Sequence, residues 1–356
     1  MLQQLLRYLL WPFTLLYGTA VWLRNRLYDA GFMSSVSFDI PVIAVGNLSV
    51  GGTGKTPHIE YLIRLLQYEY KVATMSRGYK RKTRGFLLAD TTTNALHIGD
   101  EPMQYHLKFP ELVVSVAEDR MTGIPSLLLR CPQTEVVLLD DAYQHRSVKA
   151  GLNILITDAS RPFYQDYILP YGRLREGRAA YQRADIIIVS KCAPDLSAAE
   201  AAQIQSAIQP LVHQKVFFST IQYGAAYYFR AQTAADFKGK NVLLITGIAR
   251  PEPLVAHIEQ QAQKVHLLQY PDHHFFTERN FEEIKETVRN WHNDCVIVTT
   301  EKDATRLCLR PALSEAIPVP IIVLPIEVRI LLGQQNEFDT SVRQFVSQQT
   351  AHFITD

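Results

Sequence analysis

The chain has 356 residues, of which 47% are hydrophobic, so it can bury a large core. Because single cores rarely grow beyond about 250–300 residues, this length predicts two domains. The net charge is +1, with 36 Lys and Arg against 35 Asp and Glu, which gives no global sign of nucleic-acid binding and leaves anion binding to local clusters. The four cysteines lie far apart without Cys-x-x-Cys spacing, which indicates a reducing compartment and neither a zinc site nor a disulfide framework.

Residues 1–30 are predicted to form a membrane-associated helix. Between Arg7 and Arg24 lies an uncharged stretch of 16 residues, YLLWPFTLLYGTAVWL, which would make a helix of about 24 Å. A bilayer core is ~30 Å thick, and Pro12 would kink the helix, so we expect it to lie in or dip into the interface on the cytoplasmic side. The aromatic and basic residues that suit this position are Tyr8, Trp11, Phe13, Tyr17, Trp22, Arg7, Arg24 and Arg26. The alternative is an apolar helix packed on the protein.

Residues 31–215 alternate short apolar runs with helical segments, which predicts a doubly wound α/β domain of the P-loop NTPase-like type. The continuous apolar runs are typical of parallel strands buried on both faces. They are IPVIAVG, KVATM, LVVSVA, EVVLLD, NILITD and ADIIIVS.

The second half of the chain predicts a smaller domain. Residues 216–235 contain VFFSTIQ and AAYYFR around Tyr223 and Gly224, which we interpret as a hairpin linker. Residues 236–356 then carry a second strand and helix series, NVLLITG to PIIVLP, and predict a C-terminal α/β domain.

The stretch VGNLSVGGTGKTP, Val45 to Pro57, predicts a phosphate-binding loop between a strand and a helix. The usual P-loop pattern has glycine where this chain has Ser49, but three glycines follow and still let the backbone approach a phosphate. Lys55 would neutralise phosphate charge, and Thr56 would offer its hydroxyl to Mg²⁺. The predicted nucleotide-binding residues are Ser49, Val50, Gly51, Gly52, Thr53, Gly54, Lys55 and Thr56.

EVVLLDDAYQH places Asp140 and Asp141 directly after an apolar strand, the arrangement that holds the metal in P-loop proteins. With Thr56, these carboxylates form the predicted Mg²⁺ site; ordinary strand-end carboxylates are the alternative. VSKCAPD follows another strand but departs from the Asn-Lys-x-Asp guanine reader at Ser190, so ATP is preferred to GTP.

Further motifs point to an acceptor for the phosphate. SRGYKRKTRG is a basic loop, LPYGRLREG adds further charges, IGDEP places carboxylates before a helix, and PDHHFF brings histidines from the second half. Each alone could be a solvated loop or a helix cap. Together they predict an anionic acceptor and a carboxylate–imidazole base.

With these motifs the chain resembles the tetraacyldisaccharide 4′-kinase family, the lipid A 4′-kinases. VGNLSVGGTGKTP, SRGY, GDEP, DDAYQH, GRLRE, ITGIARP, DHHFF and TEKD occur in the family's order across nearly the whole chain, and the family shares the serine in its loop. The resemblance implies transfer of phosphate from ATP, with Mg²⁺, to the 4′-hydroxyl of a tetraacyldisaccharide 1-phosphate. It also implies two Rossmann-like α/β domains that close over the nucleotide, at the cytoplasmic face of the inner membrane of a Gram-negative bacterium.

Carried over by motif, the resemblance makes Asp100 the base, His273 its partner and Lys55 a catalytic residue of the loop. Positions that support nucleotide or substrate are matched by Arg77, Glu101, Arg120, His145, Arg175 and Glu176. Ala142 departs from the glycine expected after the acidic pair. Two other functions stay open: a membrane-associated P-loop NTPase switch, and a kinase of another anionic lipid or sugar.

Overall fold

The computed structural model describes residues 2–292 and 294–352, with side chains from residue 10 to residue 351. Its α-helices are α1 (Leu2–Asp29), α2 (Lys55–Leu66), α3 (Ala95–Ile98), α4 (Asp100–Lys108), α5 (Arg120–Arg130), α6 (Ala198–Ile208), α7 (Glu252–Glu259), α8 (Glu278–Asn290), α9 (Glu301–Leu307), α10 (Pro311–Glu315) and α11 (Gln335–His352). Its strands are β1 (Val42–Gly46), β2 (Val72–Ser76), β3 (Leu87–Leu88), β4 (Val113–Val116), β5 (Val136–Asp140), β6 (Leu152–Asp158), β7 (Ile186–Ser190), β8 (Lys215–Tyr223), β9 (Tyr227–Tyr228), β10 (Asn241–Thr246), β11 (Lys264–Gln269), β12 (Val296–Thr300), β13 (Ile321–Leu324) and β14 (Ile326–Ile330).

The larger sheet has nine strands in the order β14-β8-β7-β6-β1-β5-β2-β4-β3. The seven inner strands are parallel, and β14 and β3 pair antiparallel at the two edges. Helices α2 and α11 cover one face with Ile59, Leu62 and Phe338, and α5 covers the other with Ile124 and Leu127. The predicted doubly wound sheet is confirmed. Its β1 lies between β5 and β6, so the loop after β1 opens where the strand order reverses, the usual ligand site of such sheets.

The smaller sheet has five strands in the order β11-β10-β12-β13-β9. Strands β10 to β13 are parallel, and β9 pairs antiparallel with β13. Helices α7 and α8 bury Leu254, Ile258, Phe281 and Ile284 against it. The predicted second α/β series is therefore present.

The predicted hairpin linker at residues 216–235 is wrong. Strand β8 pairs parallel with β7 in the larger sheet, whereas β9 belongs to the smaller one. Strand β14 and helix α11 also return to the larger sheet, so residues 326–352 do not belong to a continuous domain 236–356. Apolar runs indicate that these segments are strands. Which of the two sheets each strand joins depends on packing against segments that are distant in sequence.

Helix α1 docks along the protein by one face and leaves the other exposed. The hydroxyl of Thr14 accepts a 3.0 Å hydrogen bond from the backbone N–H of Tyr171, and Tyr17 Oη donates to the Arg175 carbonyl at 3.0 Å. On the outer face Phe13 is 63% and Leu16 74% exposed. The predicted helix is confirmed, with Pro12 inside it, while the side chains of Arg7 and Tyr8 lie outside the described set. Across the described residues, no helix combines the length and the apolar character needed to cross a membrane.

Candidate active site

The phosphate loop has the strand–loop–helix context that the sequence predicted. The loop leaves β1 after Gly46 and ends at Gly54, which precedes α2 in a left-handed conformation with φ of 93°. A Cβ at Gly54 would lie 2.9 Å from Ser190 Oγ, so both backbone and space require glycine there. Lys55 and Thr56 begin the helix, whose free N–H groups and dipole favour an anion.

Asn47 organises the loop from within and was missed from the sequence. Its Nδ2 donates to the Ser49 carbonyl at 2.7 Å and to Thr53 Oγ1 at 2.9 Å, and its Oδ1 accepts from Lys55 Nζ at 3.3 Å. The only available signal was an amide side chain directly after a strand, inside the loop motif. A buried amide with donors and acceptors on three loop residues holds the loop in one shape.

The first part of the loop is paired with residues 173–175. Ser49 forms an antiparallel bridge with Leu174, and the N–H of Val50 donates to the Arg173 carbonyl at 2.8 Å. The amide of Val50 is therefore used within the protein. This leaves the later residues, Gly52 and Gly54 to Thr56, as the stronger candidates for phosphate contact.

The two carboxylates after β5 have different surroundings. Asp140 is buried, its Oδ2 accepts from Tyr105 Oη at 3.1 Å, and its Oδ1 has no hydrogen-bond partner among the described residues. Burial and the charge of Asp141 raise the pKa of Asp140 to about 6. Asp141 lies 3.4 Å from Lys55 Nζ, and its oxygens accept from Arg175 Nη1 at 3.0 and 3.1 Å. Burial tends to raise the pKa of Asp141, but Lys55 and Arg175 bring it below its usual value.

A magnesium ion fits Asp140 better than Asp141. A buried carboxylate oxygen without a partner is costly unless a cation or proton meets it, and Asp140 Oδ1 is such an atom. The Thr56 side chain acts on Tyr105, whose hydroxyl donates to the same carboxylate. Within the described part of the chain, no three His, Cys, Asp or Glu side chains are grouped to hold a metal. The site thus suits Mg²⁺, which takes one or two protein oxygens and completes its shell with phosphates and water.

Positive charges gather beside this pair. Arg120 is buried, donates its backbone N–H to His145 Nε2 at 3.2 Å and lies with Nη2 3.4 Å from the Asp140 carbonyl. Burial and the Arg120 charge lower the pKa of His145. Arg77 acts electrostatically on Arg120 and His145, and its guanidinium has no hydrogen-bond or ion-pair partner among the residues the structure describes. An unpaired arginine beside a buried one favours an anion at this edge.

Glu176, predicted by motif to support nucleotide or substrate, contacts helix α1. Its side chain is completely buried and accepts from Arg24 at 3.1 Å, Asn25 at 3.1 Å and Arg183 at 2.7 Å. Two of these partners belong to α1. Glu176 therefore holds α1 against the rest of the protein. The preceding residue, Arg175, contacts Asp141 of the acidic pair.

The structure brings Asp100 and His273 together across the two sheets. Asp100 begins α4, after Gly99 with φ of 93°, and His273 follows β11 with a left-handed φ of 63°. Asp100 Oδ2 lies 2.9 Å from His273 Nδ1. The next residue, Glu101, acts electrostatically on both Asp140 and Tyr105, which places the start of α4 beside the acidic pair.

Two cations from α9 complete this cluster and were not assigned from the sequence. Arg306 donates to Asp100 Oδ2 from Nη2 at 2.7 Å and from Nε at 3.1 Å, and Lys302 Nζ lies 3.2 Å from His273 Nε2. Burial alone would raise the pKa of Asp100, but the hydrogen bonds from His273 and Arg306 and the Arg306 charge lower it to about 2. The available signal was the TEKD motif, which opens α9 directly after β12.

A P-loop at the reversal point of a doubly wound sheet, with an acidic pair on the neighbouring strand, defines the class of P-loop nucleotide-binding proteins. A carboxylate–imidazole pair supplied by two domains adds the features of a phosphotransferase within that class. The chain belongs to the tetraacyldisaccharide-1-P 4′-kinase family, whose model matches residues 6–347.

Relatives match nearly the full length. The chain is 45% identical to a tetraacyldisaccharide 4′-kinase of Bacteroides fragilis over 96% of this chain and 93% of the relative. It is 45% identical to one from Flavobacterium johnsoniae over 97% and 98% of the two chains. Among solved structures it is similar to LpxK from Aquifex aeolicus in complex with ATP, with a TM-score of 0.74, 26% identity, and 96% and 99% of the two chains covered.

Proposed function

We propose that this protein transfers the γ-phosphate of ATP to the 4′-hydroxyl of a tetraacyldisaccharide 1-phosphate, a lipid A precursor. The observation that carries the proposal is the 2.9 Å contact of Asp100 with His273 across the domains, beside a P-loop and its acidic pair. A nucleotide switch has no need of a base for a second substrate. Membership of the kinase family and the ATP complex of the Aquifex relative support the choice of nucleotide and acceptor.

The phosphate loop and its partners bind and orient the nucleotide. Lys55, held by Asn47 and Asp141, places a positive charge at the start of α2, where the β- and γ-phosphates would lie. Asp140 and Thr56 would hold Mg²⁺, which neutralises charge on the phosphates when it is bound. Arg175 keeps Asp141 beside Lys55, and Gln144 accepts from Arg175 at 3.2 Å.

Asp100 accepts the proton of the sugar hydroxyl. As the new bond forms from the 4′-oxygen to the γ-phosphorus, the bond from phosphorus to the bridging oxygen of ADP breaks, and the hydroxyl proton moves to the Asp100 carboxylate. His273 donates from Nδ1 to that carboxylate and orients it. Since the transition state of phosphoryl transfer is loose, positioning and charge stabilisation supply most of the rate, and a weak base suffices.

The charged groups at the edge of the site support the two substrates. Arg77 and Arg120 attract phosphate groups, and His145 holds the backbone of Arg120. Glu101 keeps Lys302 beside His273 through a 3.8 Å ion pair. These residues position the reaction and are not assigned a proton transfer.

We also propose that α1 lies on the membrane surface, at the cytoplasmic face of the inner membrane where the acylated substrate is found. Its exposed aromatic and aliphatic face supports this position. Between α1 and residues 167–171 lies a mostly apolar cavity of about 330 Å³ lined by Trp11, Leu15, Trp22 and Ile168, among others. A cavity of this character suits an acyl chain.

The test is an assay with γ-labelled ATP, Mg²⁺ and the tetraacyldisaccharide 1-phosphate in detergent micelles. Label is expected in the lipid, and Lys55→Ala should reduce its rate by about 10² or more because the phosphoryl group loses a charge partner. The exposed Lys71→Ala is the matched control and should retain the wild-type rate. Label released only as inorganic phosphate would support the switch, and label in a different lipid or sugar but none in this one would support another kinase.

A further inference from the structure

The Asp100 carboxylate is held by one oxygen only. Its hydrogen-bond partners among the described residues, Arg306 Nη2 at 2.7 Å, His273 Nδ1 at 2.9 Å and Arg306 Nε at 3.1 Å, all contact Oδ2. Among the described residues, no hydrogen bond ends on Oδ1. The two oxygens of the carboxylate therefore have separate environments, and three N–H groups of the second domain converge on one of them.

We propose that Arg306 is the positioning residue of the base: it anchors Asp100 through Oδ2 and leaves Oδ1 as the oxygen that receives the substrate proton. The inference rests on the proposed function. The orientation of the base then depends on the docking of the second domain, because Arg306 belongs to α9 of that domain, 206 positions from Asp100 in sequence.

Arg306 is itself held rigidly. Its side chain is completely buried, and Nη1 donates to Asp303 Oδ1 at 2.9 Å. Asp303 Oδ2 in turn accepts from Thr300 Oγ1 at 2.7 Å, Thr246 Oγ1 at 3.0 Å and the N–H of Gly247 at 3.1 Å. A planar guanidinium with both ends fixed can hold a carboxylate at one angle, whereas a lysine ammonium offers a single flexible contact.

His273 cannot replace Arg306 as the anchor. An ionised carboxylate only accepts, so His273 Nδ1, 2.9 Å from Asp100 Oδ2, is the donor of that hydrogen bond. Lys302 Nζ lies 3.2 Å from Nε2, on the other side of the ring. The ring contributes one hydrogen bond to Oδ2, and the Arg306 guanidinium contributes two.

The same arrangement predicts that substitution of Arg306 changes the pH dependence of kcat. Among the described residues, Arg306 and His273 contact the carboxylate, Lys302, Asp303 and Asp272 lie behind them, and Glu101 follows it on α4. Burial disfavours ionised Asp100, and the hydrogen bonds and charge of Arg306 oppose that effect. Without the guanidinium the pKa of Asp100 rises. At a given acidic pH a larger fraction of the enzyme then has Asp100 protonated, and that fraction is inactive.

The test compares Arg306→Lys and Arg306→Gln with Arg230→Lys, an exposed arginine that pairs with Glu315 on the same domain. We expect kcat to fall by about 10²-fold in Arg306→Gln and less in Arg306→Lys, with KM for ATP within about twofold of wild type, because the nucleotide contacts are untouched. The acid limb of the kcat profile should move to higher pH in both variants. Arg230→Lys should match wild type in all three measurements.

A double-substitution cycle separates positioning from a general structural effect. If Arg306 acts through Asp100, then Arg306→Lys should cost no further activity in an Asp100→Asn background. Thermal unfolding of each variant shows whether it folds. Arg306→Lys keeps the positive charge and most of the side-chain volume, so it can be measured even if Arg306→Gln does not fold. Unchanged kcat and pH profile in Arg306→Lys, or equal losses in both backgrounds, would overturn the inference. Failure of the wild type to label the lipid would instead count against the proposed function.

Discussion

Ser49 shows why a position can depart from the P-loop pattern without loss of the loop. It pairs with Leu174 as an antiparallel bridge, an extended conformation that any residue can adopt. The conformational demand falls on Gly51, with φ of 111°, and on Gly54, with φ of 93° and Ser190 Oγ close by. The backbone freedom needed for phosphate binding is therefore supplied by two glycines that follow Ser49.

The acidic pair gives a prediction at the residue scale. Asp140→Asn should raise the Mg²⁺ concentration needed for half-maximal activity by about tenfold or more, because it removes the negative charge of the buried carboxylate whose Oδ1 has no partner among the described residues. Asp141→Asn should instead lower kcat with a smaller change in Mg²⁺ requirement, since Asp141 holds Lys55 and Arg175. Titrations of activity with Mg²⁺ at saturating ATP measure both quantities. Equal shifts in Mg²⁺ requirement would mean that both carboxylates bind the ion.

The exposed face of α1 gives a prediction at the element scale. Phe13→Ser combined with Leu16→Ser should reduce binding to lipid vesicles by about tenfold or more, since each exposed apolar side chain contributes up to ~1.5–3 kcal/mol on burial. The docking contacts of Tyr17 and Arg24 remain, so chemistry on a detergent-dispersed substrate should survive.

Sedimentation with vesicles measures this binding. Leu129→Ser is the matched control, because Leu129 is 85% exposed on α5, a different element. Undiminished sedimentation of the double variant would show that the outer face of α1 does not contact the membrane.

Helices α2, α4 and α9 meet at a buried charge cluster that gives a second prediction at this scale. Lys108 Nζ lies 2.6 Å from Glu60 Oε2 and 2.5 Å from Glu301 Oε1. Burial and the charge of Glu60 raise the pKa of Glu301 to about 7, although Lys108 opposes them. Because this pKa lies above its unfolded value, ionised Glu301 costs stability above about pH 7, and the cost is relieved as pH falls through that value.

Wild-type protein should therefore gain about 2 °C or more in Tm between about pH 8 and about pH 6, relative to Glu301→Gln. Thermal unfolding across this range, with the exposed Glu315→Gln as control, measures the difference. Parallel curves for wild type and Glu301→Gln would show that Glu301 does not titrate in this window.

At the scale of the whole molecule, the contact between Asp100, the proposed base, and His273 joins segments packed on the two sheets. Asp100→Ala and His273→Ala should each lower kcat by about 10²–10⁴, because one removes the base and the other its orienting donor. The double variant should be little worse than the more damaged single one, since both act on the same proton. Fully multiplicative losses, or a negligible loss in Asp100→Ala, would remove this assignment.

Local chemistry allowed much of the molecule to be predicted from sequence. Strands β1, β2, β5, β6 and β7 were recognisable because continuous apolar runs suit parallel strands buried on both faces. The loop before Lys55 and the acidic pair after β5 were predicted because their residues lie within a few positions of a strand end. A carboxylate–imidazole base was predicted from the residue types of IGDEP and PDHHFF, and the resemblance to a family singled out Asp100 and His273 within them. Nothing in their spacing indicates contact.

Other features were decided by tertiary structure alone. The apolar pattern predicted β8 and β13 as strands, but only packing placed β8 and β14 in the larger sheet and β9 in the smaller one. Likewise, Arg306 reaches Asp100, and Glu176 reaches α1, through contacts between distant segments. Hydrophobic periodicity and turn residues act over a few neighbours and so determine local conformation. The partner of a buried charge depends on which segments exclude water together, and that is settled only when the domains pack.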